Sequence, residues 1–414
     1  MNRIPLARPV PLGLADELAR RIYFASDAIT GFSLVSSGEA VTAVDVTLAA
    51  CSADPAELGR KLDLVVASDV LGQRRPEPAV VWRADASGPA WDVFDELLAR
   101  GAAVEAGAGQ IVLGEPVLTL MDHLDARLKD VVAAEFGARE FRYPTLLPAR
   151  ALLRTGYVES FPQLLMFVSR LHGDVDSYRG FLDTVGRGGA GVGALSEGLR
   201  AHGGGFDHCL PPTMCFHTYH QYAERTLPTS SLVVTSRGKS FRHESRYRRS
   251  LERLWDFTIR EVVFLGPADF VLDCRSRLME RTFALMDTLG LGGRCEVAGD
   301  PFFLGEGTAE RSWSQRMLKL KYELRLPLDD AADAADSAGP WPGGSGGGRD
   351  VAVGSFNYHE QHFAKAFEIT DETDEPVFTA CAGFGLERLA YAFLCRHGLD
   401  PRGWPDDVRA AVAP

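Results

Sequence analysis

SFRHESRYRRSLERLWDFTIREVVFLG, residues 240–266, opens with Phe241-Arg242-His243-Glu244, crosses a charged run, and resumes as Arg253, Phe257 and Glu261 before the apolar Val262-Val263-Phe264-Leu265. The pattern predicts two strands joined by a loop. Side chains alternate across a strand, so Arg242 and Glu244 share a side, as do Arg253, Phe257 and Glu261 on the return strand. One face of the hairpin then carries two guanidiniums, two carboxylates and a ring. That set fits a nucleotide, with Arg for phosphates and Phe for stacking on a base. It also fits a solvated, salt-bridged hairpin.

A second stretch, VFTACAGFGLERLAYAFLC at 377–395, runs as a short apolar strand into Gly383-Phe384-Gly385, where glycines permit a tight turn and close backbone approach to a ligand. Leu386, Leu389, Ala390, Phe393 and Leu394 recur at helical spacing until Gly398. Arg388 therefore falls in the first helical turn, where backbone amides and the dipole favour an anion. Taken together, Arg-x-Glu, a loop and Arg-x-x-x-Phe-x-x-x-Glu resembles motif 2 of class II aminoacyl-tRNA synthetases. Strand, Gly-x-Gly-x-x-Arg and helix resembles their motif 3. The resemblance implies an α+β fold, an antiparallel sheet flanked by helices, in which Arg388 contacts the tail of ATP.

The 414 residues suffice for a large core and predict two domains or one with an appendage. There is no run of eighteen apolar residues, and MNRIPLARPVPLG at the N-terminus lacks a hydrophobic stretch, so neither a membrane span nor secretion is expected. Seven cysteines without disulfide-like spacing suit the cytoplasm. A net charge of −12 argues against bulk nucleic-acid binding.

Residues 1–88 read as a small α/β domain: strands around Arg21–Ser26, Phe32–Val35 and Val41–Ala49, then a helix from Pro55 to Leu71. Connector-like residues place the boundary near 88, and 89–414 form the main domain. Leu120–Phe136 reads as an amphipathic helix and Arg139–Leu147 as an extended stretch with Pro144. This pair resembles motif 1, which in class II synthetases builds the dimer interface, and implies a homodimer. Residues 174–205 predict a helical insertion, broken by glycines, that bears Arg179, Arg187 and Arg200. Residues 329–350, rich in Gly, Ala and Asp, read as a disordered loop.

Cys215 lies in LPPTMCFHTY, read as strand-like. A lone cysteine is ordinarily buried packing. In a class II sheet, however, the elements of Cys215, Glu261 and Cys381 converge, and two thiolates plus a carboxylate form a Zn²⁺ set with one position open. Gly156-Tyr157 to Gln163, Cys215-Phe216-His217, 241–266, Ser355-Phe356-Asn357-Tyr358-His359 with His362-Phe363, and Thr379 to Leu389 make the resemblance narrower. The chain resembles the atypical zinc-dependent seryl-tRNA synthetases and, among their relatives, the amino acid:[carrier protein] ligases. That resemblance implies that Cys215, Glu261 and Cys381 hold Zn²⁺ for the substrate amine. It implies that Arg242 and Arg388 act in catalysis by binding ATP phosphates, with Glu244, Arg253 and Phe257 completing the ATP site.

The chemistry so implied is activation of a small amino acid by ATP with Mg²⁺ to an aminoacyl-adenylate, without a protein nucleophile. The short N-terminal part lacks sustained heptads. Neither tRNA-binding appendage of the seryl enzymes is evident in it, which favours the phosphopantetheine thiol of a carrier protein over tRNA as acceptor. Carrier proteins are typically acidic, so the arginines of 174–205 offer complementary charge. The alternatives are a seryl-type synthetase charging tRNA, or a catalytically silent paralogue serving as a binding module.

Overall fold

β-Branched and aromatic residues gather at Val233-Val234-Thr235 of LVVTSRGKSF and at Val262-Val263-Phe264 of DFTIREVVFLG, the stretches buried on both faces. In the computed structural model they form an antiparallel pair, Leu232–Phe241 with Asp256–Gly266, in register from Leu232 opposite Leu265 to Phe241 opposite Asp256. The structure describes residues 2–19, 21–49, 54–73, 79–85, 89–189, 191–244, 250–299, 311, 314–315, 318–329 and 349–412. Most of the expected loop at 329–350 therefore lies outside the described residues.

The pair sits inside an eight-stranded sheet. Its order is Val80–Ala84, Gly293–Val297, Lys321–Pro327, Asp350–Glu360, Phe378–Gly385, Asp256–Gly266, Leu232–Phe241 and Arg139–Phe141. Every neighbouring pair is antiparallel except the last, where Arg139–Phe141 runs parallel to Leu232–Phe241. The fold is α+β, as expected. One face is covered by helices Val117–Phe136, Ala268–Thr288 and Leu386–His397, whose Leu124, Leu278 and Phe393 meet Val262 and Phe264 in the main core. A smaller core on the other face gathers Phe216, Tyr219, Phe367 and Val263 beneath the short helices Cys215–Gln221 and His362–Phe367.

The N-terminal segment has its own core around Val10, Phe32, Val44 and Leu62. Its three strands are ordered Asn2–Pro11, Ala40–Leu48, Ile29–Ser37, and the helix Pro55–Val65 packs on Asn2–Pro11. Two expectations change here. Ile22–Ala25 is a 3₁₀ turn rather than a strand, its neighbour Arg21 being drawn inside by Glu17 at 2.5 Å and by Asp69. Val80–Ala84 pairs with Gly293–Val297. The main sheet thus begins ahead of the expected division at 88.

The insertion is a hairpin of two helices, Val175–Arg187 and Val192–His202. Gly180 and Gly198 let them touch: a Cβ at Gly180 would lie 2.3 Å from the His202 ring and one at Gly198 2.8 Å from Phe181.

Candidate active site

Phe257 and Glu261 leave the central strand Asp256–Gly266 on the same side, four positions apart. They divide the site into an arginine-rich end and an end with two cysteines. At the first end, the hairpin strands are shorter than expected. The outgoing strand stops at Phe241 and the return strand starts at Asp256, so Arg242, Glu244 and Arg253 lie beyond the ladder. Past the ladder Glu244 and Arg253 are brought together by charge, while Leu251 and Leu254 turn into the main core.

Glu244 Oε2 lies 3.4 Å from Arg253 Nε and its Oε1 3.9 Å from Arg388 Nη2. Burial pushes the Glu244 carboxyl up, but Arg253, Arg388 and Arg242 outweigh it and hold the group below its ordinary value. Arg242 packs its guanidinium 5.4 Å from the centre of the Phe257 ring, while its Nε donates to the Pro212 carbonyl at 3.0 Å. Trp255 Nε1 donates to the Glu244 carbonyl at 2.7 Å.

Arg388 stands in the first turn of Leu386–His397. Gly383 and Gly385 lie in the preceding strand rather than in a turn. A Cβ at Gly383 would sit 2.8 Å from Ile259 Cδ1, so the Ile259 side chain would have to shift to admit one. Glu387 accepts the Thr258 amide on both carboxylate oxygens at 2.8 Å, clamping the helix to the hairpin beside Arg388.

At the other end, Cys215, Glu261 and Cys381 offer ligand atoms that all lie within 4.8 Å of one another, and all three residues are buried. Cys215 opens a helix instead of lying in a strand; Pro211 and Pro212 precede it and the chain turns inward there. Glu261 Oε2 accepts from Thr213 Oγ1 at 2.7 Å and from the Cys215 amide at 2.9 Å, which orients the carboxylate. Burial pushes the Cys215 thiol well above its ordinary value, and burial likewise raises Glu261. Such a group of acids keeps its protons until a cation replaces them. Two sulfurs and one oxygen at this spacing fit Zn²⁺ with one position open.

The structure thus brings together all eight residues singled out from the sequence, in two groups. Thr213, Trp255, Glu387, Asn357 and His359 join them. The last two were quoted only as parts of a resembling motif. Thr213, Trp255 and Glu387 act through backbone and carboxylate contacts that no spacing encodes.

No family model matches the chain. Amino acid–[acyl-carrier-protein] ligase 1 of Bradyrhizobium diazoefficiens is 34% identical over 276 residues, 66% of this chain and 76% of that protein. Ligase 2 of the same organism is 33% identical over 331 residues, 79% of this chain and 89% of that protein. Among solved structures, the M. kandleri seryl-tRNA synthetase in complex with A. aeolicus tRNASec shares the fold with a TM-score of 0.70 and 20% identity, over 99% of this chain and 76% of that one. That likeness extends into the N-terminal domain. With its class II sheet and its similarity to these two ligases over most of their length, the chain belongs to the amino acid–[acyl-carrier-protein] ligase family.

Proposed function

We propose that the protein activates a small amino acid with ATP and passes it to the phosphopantetheine thiol of a carrier protein, in the cytoplasm and as a homodimer. The observation that carries this reading is the single strand Asp256–Gly266, which turns Phe257 to the nucleotide residues and Glu261 to the two cysteines. Ring, arginines and metal-binding trio then meet one amino acid and one ATP.

In this reading Phe257 stacks on the adenine, and Glu244 accepts from its exocyclic amine. Arg242 and Arg388 face the phosphates, with Arg253 holding Glu244 in place. When bound, the metals supply charge neutralisation, Zn²⁺ as an open Lewis-acidic position for the substrate amine and Mg²⁺ at the ATP phosphates. Cys215, Glu261 and Cys381 would hold the Zn²⁺. A substrate carboxylate oxygen attacks the α-phosphorus, and the bond to the β-phosphate oxygen breaks as pyrophosphate leaves. The carrier thiol then attacks the adenylate carbonyl carbon, AMP leaves with the bonding pair, and the thiol proton passes to solvent. Residues contribute position and charge, not a nucleophile.

The docking surface in this reading is the helical hairpin. It exposes Val175, Tyr178 and Leu182 on one helix and Val192 and Leu195 on the other, with Arg179, Arg187 and Arg200 also exposed. An apolar stripe among arginines suits an acidic carrier. The catalytic domain begins by Val80, and among the described residues the N-terminal sheet supplies no ligand to either group.

The test is transfer of labelled small amino acids, with ATP and Mg²⁺, to phosphopantetheinylated carriers and in parallel to total tRNA. Thiol-labile label on the carrier, with none on tRNA, is the expected result. Label on tRNA alone would replace this reading with a synthetase.

A further inference from the structure

The strand Asp350–Glu360 slips register against Phe378–Gly385 between Tyr358 and Glu360, where Glu360 takes a φ of +51°. His359 is the residue left over at this bulge. Bulges beside active sites redirect a side chain, and here two residues of one strand reach a single sulfur. Asn357, directly opposite Cys381, has Nδ2 3.6 Å from its Sγ, and His359 has Nε2 3.7 Å from the same atom.

The other nitrogen of His359 is also engaged. Its Nδ1 lies 3.3 Å from the Tyr219 hydroxyl and 3.5 Å from Thr379 Oγ1. Tyr219 is completely buried, stacked 4.5 Å from Phe363, and a buried tyrosine hydroxyl requires a partner. Phe363 also holds the imidazole edge-on at 4.6 Å. Tyr219 stands one helical turn after Cys215 on Cys215–Gln221. A chain of contacts thus runs from the helix of one cysteine, through Tyr219 and His359, to the sulfur of the other.

We propose that His359 is a positioning residue of the metal centre. The Tyr219 hydroxyl donates to Nδ1, which leaves the proton on Nε2 and directs that N–H at the Cys381 sulfur. His359 is not among the three residues whose ligand atoms cluster. Its part is to fix the direction of the Cys381 thiolate and to withdraw charge from it, with Asn357 as a second donor. Outer hydrogen bonds of this kind change metal affinity by about 10- to 100-fold. This inference rests on the metal trio of the proposed function.

Zinc affinity measured by competition with a chromogenic chelator tests it, together with the thiolate-to-metal charge-transfer band of the Co²⁺-substituted full-length protein. His359→Leu should bind zinc roughly 10- to 100-fold more weakly. Its Co²⁺ band should move to lower energy, because a thiolate without its N–H donor is richer in electrons. His359→Gln, which keeps a donor, should recover part of both, and Tyr219→Phe should shift both in the direction of His359→Leu. A purely structural role would lower thermal stability and leave the band in place. Should His359→Leu fail to fold, Tyr219→Phe carries the test by the same readouts. Wild-type protein that takes up no zinc sinks the metal reading and this inference with it. Wild type that binds zinc, with variants unchanged in affinity and band, overturns the inference alone.

Discussion

Arg260 grips Asp125 with two parallel hydrogen bonds, Nε to Oδ1 and Nη2 to Oδ2, each 2.7 Å long. Arg260 is 1% exposed, and its remaining nitrogen donates to Glu140 at 2.9 Å. It adjoins Glu261 on the central strand, so the pair fastens the back of the strand whose front carries the candidate metal ligand. Asp125→Ala should destabilise the protein by about 3–5 kcal/mol, because it leaves a buried charge short of its partner. Asp125→Leu combined with Arg260→Met should recover most of that loss. Chemical denaturation of the three proteins checks this, and a double variant weaker than the single one would contradict it.

Arg388→Lys should reduce amino-acid-dependent ATP–pyrophosphate exchange by about 10²-fold or more with little change in stability. Lysine keeps the charge but loses the planar fork that reaches Glu244 and donates to the Ala352 carbonyl at 3.2 Å. Exchange at wild-type rate would remove Arg388 from the phosphate site.

Metal analysis should find about one zinc per chain, as the trio supplies three ligands to a single ion. Chelation, Cys215→Ser and Cys381→Ser should each abolish stoichiometric zinc and exchange activity together. Full exchange by a protein stripped of zinc would separate the trio from the chemistry.

The helical hairpin offers a separation of functions. Gly198→Leu, driven against Phe181, or reversal of Arg179, Arg187 and Arg200 to Glu, should cut transfer to a carrier about tenfold or more while exchange stays within about twofold. The arginine reversal should matter less at high salt. Equal losses in both steps would place the hairpin in the fold rather than in docking.

His397 donates from Nε2 to the Leu289 carbonyl at 2.9 Å and packs against Phe393. Burial, aided by Arg396, holds its pKa below the ordinary value of 6.5, with the Leu289 bond opposing. The unfolded chain therefore binds a proton that the folded chain resists. The resulting stability is complete above about pH 6.5 and is lost as pH falls toward the folded-state value. Denaturation midpoints at about pH 7.5 and about pH 5.5 should differ less in His397→Gln than in wild type. An identical difference would show that other groups carry the acid sensitivity.

The sequence was most legible where chemistry and periodicity coincide. Phe257 and Glu261 could be placed on one side of a strand from parity alone, and Arg388 in a first helical turn from the apolar repeat after Gly385. The alternation of Arg242, Glu244 and Arg253 predicts strand. Glu244 and Arg253 meet instead by ion pairing past the end of the ladder, and Arg242 packs on Phe257, neither of which periodicity records. The apolar stretch around Cys215 reads as strand, although a helix begins there, because the change of direction after Pro211 and Pro212 leaves no periodic mark. The bulge at His359 and the clamp from Glu387 to Thr258 left no local mark, since each depends on a strand or helix distant in sequence.

The strand Asp256–Gly266 also acts as a ruler. Phe257 and Glu261 are four positions apart, roughly 13 Å at about 3.3 Å each, and in the proposed reading that interval sets how far an adenine ring stands from the substrate amino group. Substitutions around the rim can change which amino acid fits. Inserting or deleting one residue between them would turn one end of the ruler over, so neither substrate could be repositioned without losing the other.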